Sequence, residues 1–236
     1  MKKIISLFLS FCLIFTLSGC KSNNKEEALA FFDAFHETLN ANSGYVHGRV
    51  QLKNETMSTL NFKFNFNQVN QIQLAFDLGL QSGKYTQDQF ISFYIKEGKT
   101  YLNFMGTKTQ SLAEKIGIHP NDKLSVSDPF LNFSDEELVN FFTASSKNEN
   151  TYSFEMNNKA ISQLLDSLGT IDIDQAKMDC TIQNKMLSSL NLSIKGYQQI
   201  EKQSANIDIQ IQCSFKNMNQ LDSISFPNDL DTYVIQ

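Results

Sequence analysis

The chain has no tryptophan among its 236 residues, only three prolines and three histidines, and just four cysteines. Each scarcity removes a class of function. His36, His47 and His119 stand apart, in no HxH or HExxH spacing, so neither a zinc site nor a histidine general base is written into the chain. There is no GxSxG elbow, no phosphate-binding P-loop and no GxGxxG. Lysine and arginine form no cluster and the formal charge is −5, which argues against nucleic acid and against charge-driven docking on anionic headgroups. Beyond the first twenty residues no apolar run approaches the roughly 20 residues that span a bilayer. Asp172-Ile173-Asp174 and Asn228-Asp229-Leu230-Asp231 carry alternate carboxylates, as calcium ligands do, but the twelve-residue loop with its central Gly and closing Glu is missing. Both read as solvated loop acids, and neither a metal nor a cofactor is expected.

The N-terminus is rich in what the rest lacks. Lys2 and Lys3 precede an apolar run from Ile4 to Leu17, and Leu17-Ser18-Gly19-Cys20 follows, the n-region, apolar stretch and small residues of an export signal. The tetrapeptide resembles the lipobox of bacterial lipoproteins. That resemblance implies a diacylglyceryl thioether on the Cys20 sulfur and cleavage between Gly19 and Cys20. The expected organisation is a signal peptide over 1–19, a lipidated Cys and short polar tether over 20–25, and one domain over 26–236. Losing two lysines and no acids moves the formal charge from −5 to −7. Membrane contact then rests on the lipid, for which two acyl chains hold far better than one. Lys21, following Cys20, is not a retention signal, which the resemblance implies fits a lipoprotein anchored on the outer, extracytoplasmic face of a cell with a single membrane.

From Glu26 to Asn40 the apolar Ala28, Phe31, Phe32, Phe35 and Leu39 recur at helical spacing, and Asn42-Ser43-Gly44 ends the pattern. The period then becomes two. Val46 to Leu52, Leu60 to Phe66 and Ile72 to Leu80 alternate, and Phe90–Lys96 and Thr100–Met105 bracket a Glu97-Gly98 hairpin turn. Residues 108–133 have no sustained period and read as a crossing segment, with a short helix over Gln110–Ile116. Ser134-Asp135-Glu136-Glu137 fits a capping box, with Leu138, Phe141 and Phe142 carrying the helix to about Ser145. Then come a strand Thr151–Met156, a helix Lys159–Leu168, and strands over 176–182, 190–194 and 205–215. A last short strand is expected over Leu221–Phe226 before an exposed tail. Helices segregated to one side of so long an antiparallel sheet give an α+β class: a curved half-barrel with helices packed on its concave face.

Cys180 and Cys213 fall on the apolar face of strands that flank a third in a simple meander. That places them about 10 Å apart, beyond the roughly 7 Å that a disulfide tolerates. Two buried thiols are expected, unless the strand order is not a meander.

The lipobox, the opening amphipathic helix, the Phe-rich strands, the Tyr94-Ile95-Lys96-Glu97-Gly98-Lys99-Thr100-Tyr101 hairpin and the closing Ile224-Ser225-Phe226-Pro227 together resemble the LolA/LppX-like envelope lipoproteins, over most of 26–227. The resemblance implies a curved sheet closed by helices over an apolar cavity, a lipid or lipoprotein as ligand, and no enzymatic activity. It departs from soluble shuttles in carrying an anchor. With 20 phenylalanines in the chain, the concave face would carry Phe62, Phe64, Phe66, Phe76, Phe93 and Phe104, the candidate cavity lining. A packed core needs the same residues as a cavity. The rival reading is an envelope interaction or sensory module with a filled core, its docking surface being the polar sheet face or residues 108–133. A hydrolase is the weakest reading, for want of motifs.

Overall fold

The computed structural model describes residues 24–53, 56–124, 126–165, 171–200 and 203–236. The signal peptide, Gly19, Cys20 and Leu168 lie outside them. Helix α1 (Asn24–Leu39) leads into strands β1 (Ser43–Lys53), β2 (Met57–Asn67), β3 (Gln73–Ser82), β4 (Tyr85–Lys96), β5 (Lys99–Phe104) and β6 (Thr107–Leu112). A 3-10 turn at Ala113–Ile116 and the crossing segment precede α2 (Asp135–Val139), β7 (Phe142–Asn148), β8 (Thr151–Met156) and α3 (Asn158–Leu165). Strands β9 (Ile171–Gln183), β10 (Met186–Ile200), β11 (Gln203–Lys216) and β12 (Val234–Ile235) complete the chain.

All twelve described strands belong to one open sheet, ordered β12-β6-β5-β4-β3-β2-β1-β11-β10-β9-β8-β7. Every pairing is antiparallel except β12 on β6. Two meanders, β1 to β6 and β7 to β11, run outward from the β1–β11 pair. Accumulated strand twist curves a sheet of this width, and α1 packs on the apolar side. The fold is therefore α+β and mostly β, as the alternation indicates.

The main core lies between α1 and the second meander. Phe31 and Phe32 of α1 meet Phe142 and Phe154, with ring centroids 5.7 to 5.9 Å apart. Phe142 stacks on Phe154 at 4.3 Å; each such aromatic pair contributes about 0.5–1.5 kcal/mol beyond its burial. Thr38, buried in the last turn of α1, donates to the Ala34 carbonyl at 2.6 Å and accepts from the Leu187 N–H at 2.8 Å, fixing the helix end to β10. Met178, Cys180 and Ile194 rise from the sheet into the same cluster.

Several elements differ from the sequence reading. The capping box is present, with the Glu137 carboxylate accepting from the Ser134 N–H at 2.8 Å. The helix stops at Val139, and Phe142, expected on it, begins β7 opposite Met156 because its ring is buried against Phe31 and Phe154. The crossing segment starts later than expected: residues 107–112 form β6 and only Ala113–Ile116 coil as a 3-10 turn. Asp172-Ile173-Asp174, read as loop, opens β9 with Asp172 opposite Tyr197 and Ile173 opposite Gly196. Gly196 makes that pairing feasible, since a Cβ there would stand 2.1 Å from the Asp172 carbonyl oxygen.

The largest difference is at the C-terminus. Leu221–Phe226 form no strand and the tail is not free. Residues 217–233 wrap the end of the sheet and cross the face opposite α1, burying Ile224, Leu230 and Tyr233 against Ala75, Tyr94 and Tyr101. This strap takes its hydrogen bonds from side chains instead of a ladder: the Leu221 N–H donates to Ser43 Oγ, the Asn67 amide donates to the Leu221 carbonyl, and the Ile224 N–H donates to Gln73 Oε1.

Candidate functional site

Antiparallel register sets the apolar side chains in rows that cross the sheet. One row runs Gly44, Phe66, Leu74, Ile95, Thr100; the next runs Val46, Phe64, Phe76, Phe93, Leu102; a third runs Gly48, Phe62, Leu78, Ile91, Phe104. A fourth runs from β8 to β3: Phe154, Met178, Leu192, Ile211, Val50, Leu60, Leu80. Along this fourth row burial thins from Phe154, 2 % exposed, to Leu60, 37 % exposed. The cover is unequal: α1 lies chiefly over β7 to β10 of the second meander.

The six phenylalanines occupy three depths. Phe66 is buried, one row from the strand ends, and its ring lies 5.3 Å from Phe64. Phe64, Phe76 and Phe93 stand side by side on adjacent strands, half-buried, and with Ile118 and Leu124 of the crossing segment they pack against the buried Ile72, Leu74 and Ile95. Phe62 lies one row further out, its ring laid over Gly48, where a Cβ would be 2.3 Å from Phe62 Cζ. Phe104 is at the margin, 49 % exposed, touching Phe90 at 5.8 Å. The structure thus brings all six onto one face, but that face is an open apolar surface walled on one side by α1 and at one end by residues 118–124. Its side chains over β1 to β5 carry no charge, so the surface suits a hydrocarbon and offers it no ionic contact.

Cys180 and Cys213 lie on this same face as free thiols. Both oppose Leu190 of β10, which stands between them as a meander requires. Burial pushes the Cys180 thiol up to about 12 and raises that of Cys213, so neither is an activated nucleophile. The histidines are structural. His36 Nδ1 lies 3.0 Å from Asp128 Oδ2, joining α1 to the crossing segment. His47 Nε2 meets Asn65 Oδ1 at 3.1 Å, and the His119 N–H donates to Asp122 Oδ2 at 2.7 Å. Among the described residues no three of His, Cys, Asp and Glu come together to hold a metal ion, and no helix is long and apolar enough to cross a membrane.

Sequence reasoning missed the opposite face. There Tyr94, 1 % exposed, donates to Asp77 Oδ1 at 2.6 Å, and burial, reinforced by that carboxylate, pushes its hydroxyl well above the usual tyrosine range. Lys108 Nζ donates to Asp229 Oδ2 at 2.6 Å and lies 5.5 Å from the Tyr233 ring centre. The hydrogen bond from Lys108 holds the Asp229 carboxyl below its ordinary value, so the acidic cluster read as solvated is tied into the strap. Tyr94 alternating with Ser92 and Lys96 was the available signal: an aromatic on a nominally polar face needs a cover.

No protein-family model matches the chain, and no curated protein matches it. Among solved structures the chain is similar to LprF from Mycobacterium bovis, at 13 % identity and a TM-score of 0.40, over 86 % of this chain and 96 % of that one. A second similar structure is described as a domain of an outer membrane lipoprotein-sorting protein from Vibrio parahaemolyticus, at 10 % identity and a TM-score of 0.26, over 89 % of this chain and 98 % of that one.

Proposed function

We propose that the protein is a non-enzymatic envelope lipoprotein, held at the extracytoplasmic face of the cell membrane by lipid on Cys20, whose single domain binds an apolar or amphiphilic ligand on the open half of its sheet. The observation that carries the reading is the continuous register of Phe62, Phe64, Phe76, Ile91, Leu102 and Phe104 on a face that α1 leaves uncovered. A hydrocarbon laid there gains about 0.8 kcal/mol per buried methylene. Ten methylenes give roughly 8 kcal/mol, against association costs of about 4–15 kcal/mol. One short chain therefore binds weakly, and a ligand with long or paired acyl chains is required.

Native mass spectrometry of the chain released from detergent, with lipid extraction, tests this. A co-purifying lipid near one-to-one, lost in Phe104→Asp, is the expected result. A clean apo mass from a membrane preparation refutes it. A second reading is favoured by a separate observation: Leu112, Ile116, Val234 and Ile235 are all more than half exposed at the β6–β12 edge. An envelope protein docking there would leave the lipid result negative and give a complex that Leu112→Asp abolishes.

A further inference from the structure

The apolar face differs at its two ends. At the end walled by residues 118–124 the polar groups are already engaged. Gln68, buried, accepts from the Leu124 N–H at 2.6 Å and donates to the Ala41 carbonyl at 3.3 Å; Thr100, also buried, donates to the Ser111 carbonyl at 3.4 Å. A polar headgroup placed there would lose its water without gaining a partner. At the other end the register carries the face past Leu60 and Leu80 into a row of Leu52, Ser58, Ser82 and Tyr85. The Ser58 and Ser82 hydroxyl oxygens lie 2.9 Å apart, in a bond that uses one of their two protons. Tyr85 donates to the carbonyl of Gln87, which stands opposite Leu80, so what Gln87 has left to offer is its amide N–H side. This end therefore sets hydrogen-bond donors at the margin of a hydrocarbon surface.

Length narrows what fits. From Ser58 to Phe64, β2 advances about 20 Å at about 3.4 Å per residue. The tail of a lipid from one bilayer leaflet is about 15 Å, half of the roughly 30 Å hydrocarbon core. Laid along β2 it reaches from the serine row to the level of Phe62 and Phe64 and stops short of the wall. No charged side chain on β1 to β5 points to this face, so nothing along the way selects a headgroup by charge. We propose that the face takes an ester-linked acyl lipid lengthwise along β2 and β3, tails toward residues 118–124, with its ester carbonyls accepting from the Ser58–Ser82 pair and the Gln87 amide. The inference rests on the apolar-ligand reading above and adds to it the polar subsite that orients the ligand.

Because the chain has no tryptophan, single substitutions give clean fluorescent reporters in the full chain. Tyr85→Trp marks the polar end and Phe64→Trp the walled end, with Phe93→Trp from the same row as a second walled-end reporter should Phe64→Trp not fold. Phosphatidylcholine brominated beside the ester should quench Tyr85→Trp more strongly than the walled-end reporter, and the same lipid brominated at the tail end should reverse that order. Ser58→Ala combined with Ser82→Ala should weaken the ester-linked lipid about three- to tenfold and leave its ether-linked analogue, which has no carbonyl, unchanged. Equal quenching by both lipids, the opposite order, or equal losses for ester and ether lipids overturns the proposal while an apolar ligand stands. No quenching of any reporter removes that ligand and the proposal with it.

Discussion

Two phenylalanines on the same apolar face should report unequal costs when cut to alanine. Phe154 is 2 % exposed, with Phe142 stacked on it at 4.3 Å and Phe31 at 5.9 Å. Removing its ring forfeits transfer energy and leaves a cavity that α1 and β9 hold open, which together cost about 3–5 kcal/mol. Phe104 is 49 % exposed at the β5 end and no helix covers it. Its truncation loses about half of a side-chain burial worth roughly 1.5–3 kcal/mol, with no cavity term, so about 1 kcal/mol. For a chain of this size a loss of 1 kcal/mol lowers the melting temperature by about 2–4 °C. Phe154→Ala should therefore melt about 6–20 °C lower and Phe104→Ala only about 2–4 °C lower. Guanidinium titration followed by far-UV circular dichroism measures both, with equal m-values showing that the denatured state is unchanged. Equal penalties at the two sites would mean that the outer half of the sheet is packed as tightly as the inner one, and the open binding face would fall with it.

Both thiols should resist Ellman's reagent at pH 8 in the native chain and react on unfolding, as peptide mass spectrometry of Cys180 and Cys213 would record. Because burial raises their folded values, their contribution to stability is complete below the ordinary thiol range near 8.5 and is lost as pH rises above it, toward about 12 for Cys180; a melting temperature flat from pH 8 to 11 would contradict this. The strap responds in the other direction. Asp229 is depressed by Lys108, so its contribution is present above the ordinary Asp value near 3.9 and is lost as pH falls through the lowered folded value. The protection of the Tyr233 amide relative to its intrinsic exchange rate should fall on acidification, and Asp229→Asn should remove that pH dependence. Ser134→Ala, which deletes the cap of α2, should cost about 0.5–2 kcal/mol by denaturant titration; no change would show that tertiary contacts alone hold this helix.

Alternation was enough to read which residues share a face. Leu60, Phe62, Phe64 and Phe66 point one way because a strand has period two, and the same rule put Cys180 and Cys213 on either side of Leu190. Two kinds of information were illegible. Leu138, Phe141 and Phe142 fit helical spacing, yet Phe142 belongs to a strand because the rings of Phe31 and Phe154 outweigh local propensity. Leu221 to Phe226 alternate like a strand, yet by the time the chain reaches them β1 is paired on both sides, and the unpaired edges lie at the far ends of the sheet, at β6 and β7. Strand order, fixed by distant pairings, decides such segments. The extent of cover over the phenylalanines was equally hidden, since it depends on where α1 lands and not on the strands beneath it.

The β1–β11 pair joins Tyr45 to Lys216 and is the seam at which two locally connected meanders meet. Every other antiparallel pair in each meander is between neighbours in the chain, closed by short turns that form quickly except between β8 and β9, where α3 intervenes. The seam must instead bring together residues separated by most of the sequence, at the loop-closure cost that makes distant pairings slow. During synthesis the first meander emerges long before its partner, with Val46, Gly48 and Val50 forming a bare edge until β11 arrives. A strand edge in that condition is where misassembly begins, and its row of β-branched residues interrupted by Gly48 marks the step of assembly at which the protein is most exposed to its own copies.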